Sequence, residues 1–257
     1  MATKTGVYDS GIGGLTTLAL LQCAFPEGEF LYLADNARMP FGSKSRDEVC
    51  EAAKSATDYL KKNADIVVFG CNTASVTANP EGVFKLAPSL DGNDPKHTLL
   101  MATPRTLAGL DAKARGYICA DTPELAVLVE VQTSLAFKRK NRLRTDALRD
   151  YLMKRIGIYR DKAKKVLVGC SHYAYAEKVI KSLLGDAECD DGNAALVARV
   201  MTEQGKTSLP ECFASVPHTE FVFTGANEEA KYRWLLARLH AGYACEKLGA
   251  IRELLQR

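Results

Sequence analysis

The sequence predicts an α/β protein built from two similar doubly wound parallel-sheet domains, and three observations predict it. The N-terminal third alternates short apolar runs with longer amphipathic ones in a βαβαβ order, the pattern of a parallel sheet wrapped by crossover helices. The runs themselves, such as Ile66 to Phe69, are apolar without alternation, as strands buried on both faces require. The phrase DIVVFGCNTAS at Asp65 to Ser75 also returns in the second half as KVLVGCSHY at Lys165 to Tyr173: apolar run, glycine, cysteine, polar residues leading toward a helix. Cys71 and Cys170 then stand just past the C-terminal edges of their strands, where open α/β sheets bind ligands. We expect the two thiols to face each other across one cleft between the domains.

In chain order, Thr5 to Tyr8 is the first strand and breaks into DSGIGG, Asp9 to Gly14, before the helical stretch Leu15 to Phe25. The glycines allow a tight turn, and the free N–H groups of a helix N-terminus beyond it read as an anion cradle. The alternative is a plain strand-to-helix connection, since GxGG lacks the dinucleotide fingerprint GxGxxG. Phe30 to Ala34 is the second strand, ending in Asp35 and Asn36 and followed by the loop ARMPFGSKS. Ser45 with Glu48 forms a capping box for a helix over Arg46 to Lys61. The Cys71 strand follows. From Val76 to His97 the pattern thins to one short strand around Val83 to Ala87 and otherwise loop, and the composition shift near Asp91 to His97 marks a domain boundary.

The second run of elements opens with a strand at Thr98 to Ala102 and a strand-to-helix turn, ATPRT. A helix over Thr106 to Arg115, a strand over Gly116 to Ala120 and an apolar stretch over Thr122 to Thr133 holding Glu130 within its apolar run come next. Phe137 to Arg160 reads as a long basic amphipathic helix, whose charge run we take as a solvated face rather than a nucleic-acid patch because no aromatic residues interleave it. After Cys170, helices are expected over Tyr173 to Leu184 and Asp190 to Gln204, a strand at Glu220 to Thr224, a helix over Glu228 to Leu239 and a last surface helix over Ala241 to Arg257.

Composition restricts the function classes. The 257 residues are 47% hydrophobic and 25% charged, ordinary for a soluble globular chain, and a net charge of +3 is too small to argue for nucleic acid or a membrane surface. No run approaches a membrane span and MATKTGVYDSG is not a signal peptide, so a cytoplasmic location is the default expectation. None of the eight cysteines forms a CxxC pair, so neither a disulfide framework nor a metal site is expected. No motif binds a nucleotide and no lysine has a context for pyridoxal phosphate, so no cofactor is expected. What remains is two thiols, with Asp9 near one and His172 near the other, surrounded by the uncharged donors Ser10, Asn72, Thr73 and Ser171. Such a set suits proton transfer on a small, polar, anionic molecule, with acidity supplied by hydrogen bonds and fixed dipoles.

Five stretches, VYDSGIGGLTTL, ADNARMPFGSKS, FGCNTAS, VGCSHY and FVFTGANEE, closely resemble, in the same order, those of glutamate racemases in the cofactor-independent aspartate/glutamate racemase superfamily. The resemblance implies a first domain of residues 1–97 plus 213–257, a second of 98–212, and an active site in the cleft between them. It implies that Cys71 and Cys170 exchange the Cα proton on opposite faces, assisted by Asp9 and His172, with Glu130 supporting His172. Ser10, Pro40, Phe41, Gly42, Asn72, Thr73 and Ser171 match substrate-holding positions, and Asp35 an acid lining the site. A homodimer and D-glutamate for peptidoglycan are implied on the same ground. The chain departs from the family pattern at Phe41, usually tyrosine, at Ser171, usually threonine, at Ala174, usually proline, and in the shortness of Val76 to His97. A racemase or isomerase for another small acid such as aspartate, or a binding protein without turnover, are the competing readings. Retention of both thiols counts against a decarboxylase, and the doubled motif counts against a Cys-His hydrolase.

Overall fold

The computed structural model describes residues 3–210 and 216–256. In chain order the regular elements are β1 (Lys4–Asp9), α1 (Leu15–Ala24), β2 (Glu29–Ala34), α2 (Arg46–Asn63), β3 (Ile66–Phe69), α3 (Asn72–Ala78) and β4 (Phe84–Lys85). The second group is β5 (Thr98–Ala102), α4 (Pro104–Gly109), β6 (Ile118–Asp121), α5 (Leu125–Lys138), α6 (Asp146–Ile156), β7 (Lys165–Gly169), α7 (Glu177–Leu184) and β8 (Glu188–Asp190). The chain continues with α8 (Asn193–Glu203), β9 (Thr219–Phe223), α9 (Glu229–Leu239) and α10 (Cys245–Leu255).

The strands form two parallel sheets, ordered β4-β3-β1-β2-β9 and β6-β5-β7-β8. Apart from β9, the second sheet repeats the first strand for strand: β5 stands for β1, β6 for β2, β7 for β3 and β8 for β4. The chain therefore consists of two α/β domains of one topology. In each sheet the order reverses beside the first strand, between β1 and β3 and between β5 and β7, and loops leaving the carboxyl ends there bound a crevice. Cys71 and Cys170 are the residues placed at those two points.

Local chemistry accounts for the elements that frame the crevice. Every residue of β3 is buried, as are all but the first of β1 and β2, which explains their unbroken apolar runs. The Ser45–Glu48 box is formed in full, with the Glu48 N–H donating to Ser45 Oγ at 3.2 Å and the Ser45 N–H to Glu48 Oε2 at 2.8 Å. Asp47 and Glu48 in the first turn of α2, with Lys61 and Lys62 in its last, oppose the helix dipole. Its Val49, Ala52, Ala53, Ala56 and Leu60 form one buried stripe against the first sheet.

Three parts of the chain differ from the sequence expectation, the first being the helix expected over Thr106 to Arg115, which is the short α4 ending at Gly109 and followed by turns. Phe137 to Arg160 is not one helix: α5 stops at Lys138, Lys140 takes a left-handed φ of 50°, and α6 starts only at Asp146. Residues 138–142 are all exposed, so no apolar stripe holds this stretch against a core, and packing is what stabilises most short helices. The strand at β8 was not anticipated, because three residues are too few to produce a pattern. Val76 to His97 holds the end of α3 and the short β4, then reaches β5 without another helix, anchored by the buried Leu86 and Leu90 and by Tyr117 donating to the Leu90 carbonyl.

β9 pairs with β2, so the chain returns to its first sheet near its C-terminal end. The expected boundary at 212/213 lies outside the described residues. α8, expected with the second domain, packs on α1 and α10, with Thr17 donating to Asn193 Oδ1 at 2.5 Å. One apolar cluster accordingly runs through both halves, from Val7 and Leu18 to Val168 and Ile180. Among the described residues no helix is long and apolar enough to cross a membrane.

Candidate active site

Where the two switch points meet, a small cavity is lined by Ser10, Pro40, Phe41, Gly42, Cys71, Asn72, Thr73, Cys170, Ser171 and His172, with Thr103 and Ala126. Ten of the thirteen residues expected at the site are therefore gathered in one place. Asp9 and Glu130 lie immediately behind the lining, in contact with Ser171 and His172. The cavity measures about 10 Å³, room for roughly one water, so its walls must part for any larger molecule.

Cys71 leaves the end of β3, caps α3 and is 4% exposed. Burial pushes its thiol up, and the nearby Asp9 charge and Cys170 push it further, against hydrogen bonds from the Ala74 N–H and the Ser10 hydroxyl. Asp9 is fully buried at the end of β1, and that burial raises its carboxyl above the usual range. His172, the Gly11 N–H and the Ser171 hydroxyl act the other way: Gly11 donates to Oδ1 and Ser171 to Oδ2, both at 2.8 Å. Ser171 thus directs its hydroxyl at Asp9 and bridges the two halves of the crevice.

Cys170 leaves the end of β7, and the 3-10 turn Ser171–Ala176 folds His172 back beside it. The imidazole lines the cavity beside the Cys170 thiol, and its Nε2 lies 3.1 Å from Glu130 Oε1. Burial alone favours the neutral ring, but the neighbouring Cys170 and the bonded, charged Glu130 outweigh it and hold His172 well above its ordinary value. Glu130 is also resisted by burial, yet His172, Lys231 and the Ile12 N–H pull it down to about 2. The two thiols therefore sit in unlike surroundings, one beside a buried carboxyl and the other beside a hydrogen-bonded His–Glu pair.

Asn72 is the one lining residue whose polar atoms are wholly unspent. It is 1% exposed, and neither its Nδ2 nor its Oδ1 has a partner among the described residues. Buried amides are normally paired, so an unpaired one on a cavity wall leaves bonding capacity open to a water or a ligand. Thr73 shares its hydroxyl with Thr103 and Thr106 at 3.1 Å each, in a closed ring of three. Phe41 is buried with its ring 6.3 Å from that of Tyr8, an apolar setting that a phenyl ring satisfies without a hydroxyl partner.

Two expectations are corrected. Asp35 does not line the cavity: Thr224 Oγ1 donates to Oδ1 at 2.7 Å, Arg38 to Oδ2 at 2.9 Å and the Tyr8 hydroxyl to Oδ2 at 3.2 Å, so Oδ1 ties it to the end of β9 and Oδ2 to β1 and the following loop. The DSGIGG turn does not present a free anion cradle either. Its Gly11 N–H serves Asp9, and its Ile12 N–H donates to Glu130 Oε1 at 3.0 Å, so the anions it holds are the protein's own. Its glycines serve close approach: a Cβ on Gly11 would strike Glu130 Oε1 and lie 3.0 Å from His172 Nε2, and one on Gly13 would strike Ser171 Oγ and lie 2.7 Å from His172 Nδ1.

Thr103 and Lys231 were missed. Thr103 follows β5 as Ser10 follows β1, so pairing the two halves strand by strand would have found it in ATPRT. Lys231 had no such signal, because it reaches Glu130 from α9 only through the tertiary fold. A larger cavity, about 700 Å³, opens on the other side of Lys231 between Phe137 of α5 and Glu228 and Arg233 of the α9 end, away from both thiols. The thiols and the unpaired amide line the small one.

No protein-family model matches the chain. Among curated proteins it is 30% identical, over 270 aligned positions covering 96% of this chain and 99% of the relative, to the glutamate racemase of Campylobacter concisus. Among solved structures it is similar to glutamate racemase from Thermus thermophilus in complex with β-chloro-D-alanine, at 26% identity and a TM-score of 0.70, covering 92% of this chain and 93% of the other. The fold is also that of Escherichia coli glutamate racemase, at a TM-score of 0.72 and 20% identity over 93% and 95% of the two chains.

Proposed function

The chain belongs to the glutamate racemase family, and on that premise we propose that it interconverts L- and D-glutamate without a cofactor, with Cys71 and Cys170 as the two proton-transfer groups. The observation that carries this reading is the cavity itself, with one thiol contributed by each half and the unpaired Asn72 amide in the same lining. One cysteine, as thiolate, takes the Cα proton, and the electron pair of the broken bond spreads over Cα and its carboxylate. The other, as thiol, delivers its proton to the opposite face. The new C–H bond then has inverted configuration, and the thiolate has moved from one cysteine to the other.

The surrounding groups have separable tasks in this scheme. Asn72 donates through Nδ2 to a substrate carboxylate and accepts through Oδ1 from the ammonium, while Ser10, Thr73 and the Pro40–Gly42 turn hold the remaining charged atoms. Burial strengthens each of these bonds and thereby stabilises the carbanionic state. Asp9 stands beside Cys71, and the protonated His172, paired with Glu130, stands beside Cys170 and favours its thiolate. Because the cavity holds about one water, binding a larger molecule requires its walls to part and then close. The domains in this scheme are residues 1–97 with 213–257, and 98–212. On family grounds the protein acts in the cytoplasm as a homodimer and supplies D-glutamate for peptidoglycan.

The test is to incubate the protein with L-glutamate, and separately L-aspartate, in D2O, following optical rotation and Cα deuterium early in the reaction. Glutamate should racemise, with deuterium entering the product before the remaining substrate. Cys71→Ala and Cys170→Ala should each lower the rate by about 10²–10⁴, the ordinary contribution of a general acid or base. Turnover of aspartate alone would reassign the substrate. Binding without exchange would make the protein a receptor for the amino acid and refute catalysis.

A further inference from the structure

Lys231 is a buried cation that the two-thiol scheme leaves without a task. It is 5% exposed on the first turn of α9, and its Nζ lies 3.4 Å from Glu130 Oε2, 3.4 Å from Ser134 Oγ and 2.7 Å from Glu228 Oε1. A buried ammonium is costly unless paired, and this one is paired on the side facing the thiols with the carboxylate that orients His172. The groups form one line through the interior: Cys170, His172, Glu130, Lys231, Glu228. The first two come from the β7 end, Glu130 from α5 and the last two from the α9 end, so three separate parts of the chain converge on it.

We propose that Lys231 is a positioning residue for the Cys170 half of the reaction, fixing Glu130 in the orientation that holds His172 against the Cys170 thiol. The assignment rests on the racemase reading above. The geometry supports it in two ways. Glu130 Oε1 is shared by His172 and the Ile12 N–H, which leaves Oε2 free to rotate away unless something holds it, and Lys231 is the cation at that oxygen. Lys231 also lies beside the larger cavity, so without its charge the inner end of that cavity would meet a carboxylate held from one side only.

The charged and titratable groups facing the Glu130–Lys231 pair are His172, Asp9 and Glu228, with Tyr32, Tyr175 and Tyr232 around them. Lys231 is one of the influences that keep Glu130 ionised. Its removal moves the Glu130 titration upward, so the acid limb of the kcat/KM profile rises toward neutrality. Lys231 acts on His172 through the carboxylate it touches and meets the Cys71 half only through the charge of Asp9, so the change falls mainly on the Cys170 proton transfer.

The experiment is a double-mutant cycle in the full-length protein with Lys231→Met, Glu130→Gln and both together, read by pH profile and by the isotope effect of α-deuterated L- and D-glutamate. Lys231→Met should lower kcat/KM on the order of tenfold, which corresponds to about 1.4 kcal/mol. The isotope effect should rise for one enantiomer and fall for the other. The double variant should be no slower than Glu130→Gln, because Lys231 acts through that carboxylate, and Lys231→Arg should restore the profile. If Lys231→Met leaves too little folded protein, the double variant, which removes both buried charges, still decides: a rate well below Glu130→Gln alone overturns the proposal. So does an unchanged pH profile with equal isotope effects in Lys231→Met. Cys170→Ala in the same assay separates the two questions, because full activity there refutes the racemase mechanism whatever Lys231 does.

Discussion

Replacing Asn72 with leucine should make the protein more stable and less active at once. Asn72 is 1% exposed and both ends of its amide lack a partner. The adjoining cavity has room for about one water, which can serve one end and leaves the other unpaired. An unpaired buried polar group costs about 1–3 kcal/mol, and leucine has nearly the same branched shape without that cost. In a chain of this size each kcal/mol moves Tm by roughly 2–4 °C, so thermal unfolding should shift upward by about 2–12 °C. In the proposed scheme the same change removes two hydrogen bonds to charged substrate atoms, worth about 1.5–3 kcal/mol each, so kcat/KM measured by polarimetry should fall by about a hundredfold or more. A lower Tm combined with activity within about twofold of the parent would refute the argument and make Asn72 a structural residue.

Three further outcomes follow from other features. Gly11→Ala should cost about 1–3 kcal/mol by overpacking against Glu130 and His172, and should slow racemisation more than the same change at the exposed Gly205→Ala, as seen by denaturant unfolding and rate side by side. Glu130, held down to about 2 in the folded protein against roughly 4.3 unfolded, contributes stability that is fully present above about pH 4.3 and lost as pH falls toward 2, on the order of 3 kcal/mol; Glu130→Gln should flatten that part of the stability curve. Ser45→Ala breaks the capping box of α2 and should cost about 1 kcal/mol while leaving turnover unchanged, since neither box residue lines the cavity.

Much of this architecture was legible because it repeats. The strand–glycine–cysteine phrase occurs twice, and the two sheets place it at equivalent strands, so the pairing of Cys71 with Cys170 could be reasoned from spacing and burial alone. The features that were not legible depend on contacts between distant residues. Asp35 ends a strand at the right height for the crevice, but Arg38, Tyr8 and Thr224 bind both its oxygens. The N–H groups of the glycine turn could be counted, but not that Asp9 and Glu130 would use them. Lys231 lies in a helix that looks ordinarily amphipathic, and its burial at the His–Glu pair follows only from how α9 packs on α5. The basic stretch after Phe137 misled for the opposite reason: residues with good helix propensity form no helix where nothing covers them.

The pairing of β9 with β2 has a consequence for synthesis. Until Thr219–Phe223 leaves the ribosome, β2 is the open border of its sheet, with Phe30, Leu31 and Tyr32 beside unpaired backbone groups. Translation at about 5–20 residues per second leaves that border open for roughly ten to forty seconds, a template for association with other nascent chains. The helix carrying Lys231 emerges only after β9, so the His172 side of the crevice is the last part of the machinery to be completed. Chains stalled before Thr219 should therefore carry both thiols yet remain inactive and sensitive to protease at β2, and they should depend on chaperones more than their folded second half would suggest.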